Sequence, residues 1–340
     1  MTQAGSLTWF AGHEIRLAWR DLMSMMTAGR RGREKIVALA LVVFLVFAHV
    51  VAWYFVARYV EESTEPTKVA LVVITGSVLL SWSLLISQAM ESVTRAFYAR
   101  SDLDLILSSP VAARKVFAVR IGAMALSVIL MAALLGAPLI NVLVARGGAG
   151  WLGAYGVVIA MGASAAALSV ALTVALFRLI GPKRTRLVAQ IVAAVIAAVF
   201  IIGLQVAAIL SSGTLSRLVF LKSETLVALV PETDSLIWWP ARAALGDPTA
   251  LAVVLGASLT LLGGAIAVFS ARFGDHAIAA SSIAASGARQ TRAAPFRGRP
   301  AMRALRQKEW TLLRRDPWLV SQTLMQILYL LPPALLLWRG

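Results

Sequence analysis

KIVALALVVFLVFAHVVAWYFVAR, residues 35–58, decides the fold. Between Lys35 and Arg58 the chain runs from Ile36 to Ala57 without a formal charge. Crossing the hydrocarbon core of a bilayer as a helix takes about 20 apolar residues, so this one stretch is long enough. It begins after a long basic segment, too late and too long for a cleaved signal peptide, and therefore reads as a retained span.

Six further stretches repeat the pattern, at 68–90, 121–145, 151–177, 187–210, 249–270 and 318–338, with no Lys, Arg, Asp or Glu away from their ends. The composition agrees. Of 340 residues, 59% are hydrophobic and 14% charged, against about 25% charged in soluble domains, and the mean hydropathy is +0.81. The predicted fold class is an all-α polytopic transmembrane helical bundle of about seven spans, preceded by an N-terminal interfacial helix. The absence of cysteine excludes disulfides and thiolate metal sites.

The net charge of +16 would suggest nucleic acid if it lay on one face of a soluble domain. Its distribution argues otherwise. Segments 1–35, 91–120, 178–186 and 271–317 carry six, five, four and ten of the 32 Lys and Arg residues. The alternate connections are poor in bases: EESTEPT (61–67) is acidic and RGGAG (146–150) has one Arg. Lys/Arg excess marks cytoplasmic loops, so every connection agrees with a cytoplasmic N-terminus. The basicity is topology, and nucleic acid is not an expected partner.

Residues 7–28 are interrupted by Arg16, Arg20 and Asp21 and do not span. At helical spacing Ile15, Ala18, Trp19, Leu22 and Met26 form one stripe, and His13, Arg16, Arg20, Ser24 and Thr27 another. This reads as an amphipathic helix in the cytoplasmic interface, with a soluble helix packed on the protein as the alternative. The outer segment 211–248 holds two apolar pieces too short or too interrupted to span. These read as re-entrant or interfacial helices, with Trp238 and Trp239 at headgroup level; a surface loop with one anchor is the alternative.

EIRLAWRD (14–21) aligns with EWTLLRRD (309–316), pairing Glu14, Leu17, Arg20 and Asp21 with Glu309, Leu312, Arg315 and Asp316. Each precedes an apolar stretch. Between them, the Ala-, Ser-, Gly- and Arg-rich run 280–303 reads as a flexible linker. The expected organisation is therefore a connecting helix (1–35), a six-span unit (36–270), a cytoplasmic linker (271–303) and the start of a second unit (304–340). A complete seven-span chain with an outside C-terminus is the competing reading.

The segment SDLDLILSSPVAARKVFAVR (101–120) contrasts with this oily background. Ser101 with Asp104 fits a helix cap. Ser109 followed by Pro110 fits a second helix start, where a missing N–H costs nothing. Arg114, Lys115 and Arg120 lead back to the membrane. The result is a cytoplasmic helix–turn–helix over about 95–120. Leu103, Leu105, Ile106, Leu107 and Val111 are more apolar than a solvated loop requires, and apolar residues ringed by charge describe a docking surface.

These residues resemble a family. DLDLILSSPVAARKVF is similar to the cytoplasmic segment of type-2 ABC transporter permeases, an acid–Leu–acid–Leu run followed by Leu-x-Ser-x-Pro-Val. The matching positions are Asp102, Leu103, Asp104, Leu105, Leu107, Ser108, Pro110 and Val111. The resemblance implies that this segment, with Arg114, docks on a separate ABC ATPase subunit that binds the ATP. It also implies an interfacial helix bearing Glu14, Trp19, Arg20 and Asp21, and an outer helical insertion. WWPARAAL (238–245), with Trp238, Trp239 and Pro240, is similar to a run many members carry there. Residues 308–338 resemble the opening of the second half of duplicated members. A second permease copy or half, the lipid bilayer and a bacterial inner membrane complete the implied setting.

The chain itself contains no G-x-x-x-x-G-K-[ST] phosphate loop, the motif that cradles ATP phosphates, so a transport subunit without its own ATPase or bound cofactor is expected. His13, His49 and His276 are scattered, and a lone His49 within a span reads as a packing residue. Gln88, Asn141, Gln190 and Gln205 read as helix–helix hydrogen-bonding groups. The absence of mid-span carboxylates weakens an ion-coupled secondary transporter; that class and a non-transporting scaffold or sensor are the alternatives to an exporter.

Overall fold

Inside hydrocarbon, backbone N–H and C=O groups find partners only within the protein, and a helix supplies them locally. The computed structural model follows that requirement. It describes residues 32–59, 67–98, 112–212, 231–286, 300–315 and 317–339, with Trp9, Gly12, His13, Ile15, Arg16, Leu17, Arg20, Met23, Ser24 and Thr27 of the N-terminal stretch. Among the described residues every regular element is helical and there are no strands. In chain order they are α1 (Glu34–Tyr59), α2 (Lys68–Tyr98), α3 (Ala113–Gly147), α4 (Gly153–Ser212), α5 (Trp239–Ala244), α6 (Pro248–Ser286), α7 (Ala301–Arg315) and α8 (Pro317–Arg339). One 3-10 turn, Ala149–Leu152, leads into α4, and another, Leu236–Trp238, leads into α5.

Among the described residues, six stretches are long and apolar enough to cross a bilayer: Glu34–Tyr54, Lys68–Arg95, Arg114–Gly147, Ala149–Gly181, Arg184–Gly203 and Pro248–Ser270. They coincide with the first six expected spans, and the fold is an all-α polytopic helical bundle. The last expected stretch, 318–338, is helical as α8 and packs along α4, where Gln205 Nε2 lies 3.5 Å from the carbonyl of Tyr329. The fourth and fifth spans form one helical run, α4, broken at Gly181 (φ 73°, ψ 164°) into two arms. A positive φ suits glycine, which has no Cβ to clash.

The first arm of α4 is the axis of the bundle. Its run GASAAALS (162–169) buries Ala163, Ala165, Ala166, Ala167 and Ser169. In lipid there is little hydrophobic drive between helices, and small side chains that allow close backbone approach supply the packing. Gly162 shows the consequence: a Cβ there would stand 3.0 Å from the Cα of Ile129 on α3. α2 lies against both arms. Trp82 Nε1 donates to Ser164 Oγ at 3.0 Å, and Ser87 Oγ donates to the carbonyl of Ala193 at 2.8 Å. The helices lying outside this packing keep apolar faces exposed, α1 most of all, with Ile36, Leu39, Phe47 and Val50 all more than 60% exposed. Such a surface is stable against lipid tails.

Three expectations change. First, α6 does not stop at residue 270 but continues to Ser286, and α7 begins at Ala301. The first part of the expected linker 271–303 is therefore helix, as its many alanines favour. Second, Thr27, placed on the polar stripe of the N-terminal helix, is 6% exposed. Its hydroxyl donates to the carbonyl of Met23 at 2.7 Å, so burial leaves it satisfied. Ile15, placed on the apolar stripe, is 51% exposed, and Arg20 is exposed; Glu14, Trp19 and Asp21 lie outside the described residues. Third, Trp238 is not a headgroup anchor. It is 5% exposed, packed with Leu71 and Ala241.

Candidate functional site

The segment singled out by its charge pattern lies between two long helices. Asp102, Leu103, Asp104, Leu105, Leu107, Ser108, Pro110 and Val111 fall outside the described residues, as does the expected cap Ser109. Both flanks are described. α2 extends past its span to Tyr98, and Glu91 and Arg95 pair at 2.6 Å one turn apart on its exposed face. α3 starts at Ala113 behind Ala112, whose ψ of 122° is not helical and which makes no side-chain cap. Among the described residues the helix returning to the membrane starts at Ala113; the expected start at Pro110 lies outside them. Arg114 and Lys115 are exposed at its first turn.

One turn further in, the flanks are clamped. Phe117 and Ile121 of α3 pack in one buried cluster with Val93 of α2 and with Val170 and Phe177 of α4. Both are 0% exposed. Arg120, expected among the bases of the hairpin, is also buried, at 2% exposure. The physical reason is helical phase: Val116, Phe117, Arg120 and Ile121 share one face of α3, and that face points into the bundle. The apolar residues at 116, 117 and 121 carry the signal for this once the helix is known to start at Ala113. A buried guanidinium is stable only with compensating polar partners, so Arg120 places a fixed charge at the root of the segment.

Beside the same cluster lies the break in α4. Thr185 is buried, and its hydroxyl donates to the carbonyl of Gly181 at 2.9 Å, closing the turn. Phe177 belongs to the core, whereas Leu179, two residues on, is 80% exposed. Arg178, Arg184 and Arg186 are exposed in the same stretch of the chain. Leu179 is thus a second exposed apolar residue in a basic segment, at the end of the bundle where α2 ends and α3 begins.

At the opposite end, the residues of the outer segment build a lid. Trp238 Nε1 donates to the carbonyls of Glu232 at 3.1 Å and Pro231 at 3.3 Å. Pro240 sits in the first turn of α5, and Trp239 packs half-buried against the cluster of Ile140, Ala154, Val157 and Ala243. Leu236 and Ile237 are the exposed apolar residues here, at 71% and 52%. The lid is pinned by glycine: the α-carbon of Gly150 would lie 2.6 Å from a Cβ placed on Gly246, whose φ is +98°. Lys68 and Glu232 pair at 3.1 Å and join the start of α2 to the lid.

Of the polar span residues, Gln88 and Gln190 are half-buried and Asn141 bridges His49 and Tyr155. Comparison with protein-family models, curated proteins and solved structures finds no match for the chain.

Proposed function

We propose that the chain is the membrane-spanning permease subunit of an ATP-binding-cassette exporter in a bacterial inner membrane. A separate ATPase subunit docks on residues 101–120 and binds the ATP, and a second permease copy or half completes the transport unit. The observation that carries this reading is the clamping of both flanks of an acid–Leu–acid–Leu segment by one core, Val93, Phe117, Ile121, Val170 and Phe177. Packed interiors transmit displacement with little compression. Force applied to such a segment moves α2, α3 and α4 together instead of being lost in a loose loop. Exposed Leu179 and its neighbouring arginines widen the surface available to the partner.

Work is done only if the partner contacts this surface differently in its two nucleotide states, since a ligand shifts an equilibrium by its differential affinity alone. ATP binding that draws two ATPase subunits together supplies that difference, and the helices respond as rigid bodies. The test is co-purification of the 340-residue chain with the ATPase encoded beside it. Leu105→Asp puts a charge on the apolar docking surface and is expected to abolish capture and ATP-dependent transport. Full capture and transport by Leu105→Asp refutes the assignment.

A further inference from the structure

His49, Asn141 and Tyr155 come from α1, α3 and α4 and form one directed chain of hydrogen bonds. His49 Nδ1 lies 2.7 Å from the carbonyl of Leu45. A carbonyl only accepts, so Nδ1 carries a proton, and in the neutral ring Nε2 is then an acceptor. Asn141 Nδ2 donates to that Nε2 at 3.3 Å. This orientation turns the amide oxygen toward Tyr155, whose hydroxyl donates to it at 2.6 Å. The imidazole and the phenol thus fix the amide from both sides. An amide nitrogen has two N–H donors, and the chain uses one.

Asn141 itself lines a groove. His49, Val50, Trp53, Asn141, Val142 and Ala145 line a lateral opening of about 470 Å³ between α1 and α3. Asn141, Val50 and Ala145 are exposed, and the helices beside the groove expose apolar faces suited to hydrocarbon. Polar groups at such depth are expensive and mark function by default. Arg146 stands above the groove at the end of α3, its guanidinium 4.7 Å from the ring centre of Trp53. Five residues of helix separate Arg146 from Asn141, about 7.5 Å along the axis. The site therefore offers a cation at the membrane boundary, a neutral donor deeper in, and an apolar wall of Val50, Trp53 and Ala145. An acceptor-rich amphiphile fits that order: an anionic phosphate above ester carbonyls above an acyl chain.

We propose that this groove binds one glycerophospholipid of the adjoining leaflet. Its phosphate pairs with Arg146, and an ester carbonyl accepts from Asn141 Nδ2. His49 and Tyr155 are positioning residues that hold the amide in place. The groove lies near the end of α3, away from its start at Ala113.

The test is native mass spectrometry of the 340-residue chain in detergent, titrated with phosphatidylglycerol. One lipid retained per chain is expected. Arg146→Gln and Asn141→Ala are each expected to weaken retention about tenfold, the scale of one lost polar contact of about 1.4 kcal/mol. Arg306→Gln, on exposed α7, is expected to leave it unchanged, and inorganic phosphate is expected not to compete. Arg146 is exposed, so Arg146→Gln keeps the fold and decides the matter if Asn141→Ala does not fold. Unchanged lipid affinity in Arg146→Gln overturns the proposal. So does displacement by inorganic phosphate, which would mark a free-anion site, or a dimer that excludes the lipid.

Discussion

Asp247 joins two elements through one carboxylate. Its Oδ1 accepts the backbone N–H of Thr249 at 2.9 Å and of Ala250 at 3.1 Å, capping α6. Its Oδ2 accepts Nε and Nη2 of Arg242 at 3.0 and 2.7 Å, tying that cap to α5. The Ala250 N–H, followed by Arg242 and the Thr249 N–H, holds the carboxyl below its ordinary value, against an opposing effect of burial. A depressed folded-state value stabilises above the unfolded carboxyl's value, about 4, and that contribution is lost as pH falls through the folded one. Asp247→Ala is expected to lower stability at pH 7 by about 0.5–2 kcal/mol, the usual worth of a helix N-cap. Asp247→Asn keeps the cap geometry and loses the charge. It is expected to cost less and to flatten the stability profile below pH about 4, as followed by thermal unfolding in detergent. Neither the link to Arg242 nor the burial of Trp238 instead of its exposure at the headgroups is legible in the sequence, because both depend on how the lid folds back.

Close approach governs the elements. A Cβ on Gly153 would collide with the backbone carbonyl of Ala243, and one on Gly150 would stand 2.7 Å from the carbonyl of Leu245. Backbone cannot swing aside as a side chain can, so Gly153→Ala is expected to destabilise by about 1–3 kcal/mol or more. Gly263→Ala meets nothing within 4 Å and is expected to be neutral or to gain up to about 1 kcal/mol of helix propensity. Comparing the two melting temperatures in one detergent checks this. A larger loss at Gly263 would refute the lid packing. The small-residue run 162–169 announced a close contact in the sequence, but which helix it meets became visible only in three dimensions. The same limit applied to α3. Its apolar and basic residues were readable, yet the register that buries Arg120 and exposes Arg114 follows from the start at Ala113.

For the whole molecule, the cysteine-free chain permits a direct check of orientation. Asp234→Cys, on the exposed part of the lid, and Arg184→Cys, in the basic turn, lie at opposite ends of the bundle. A membrane-impermeant maleimide is expected to label the first in intact cells and the second only after permeabilisation; the reverse pattern inverts the topology. The sequence by itself determined the all-α class, the positions of the six spans and the basic ends, because hydrophobic length and charge placement act locally along the chain. Tertiary structure alone decided what the spans surround. It clamped the flanks of residues 99–111 in one core, exposed Leu179 and set His49, Asn141 and Tyr155 in line. These are relations between residues far apart in sequence, and no local pattern carries the distances and helical phases that bring them together.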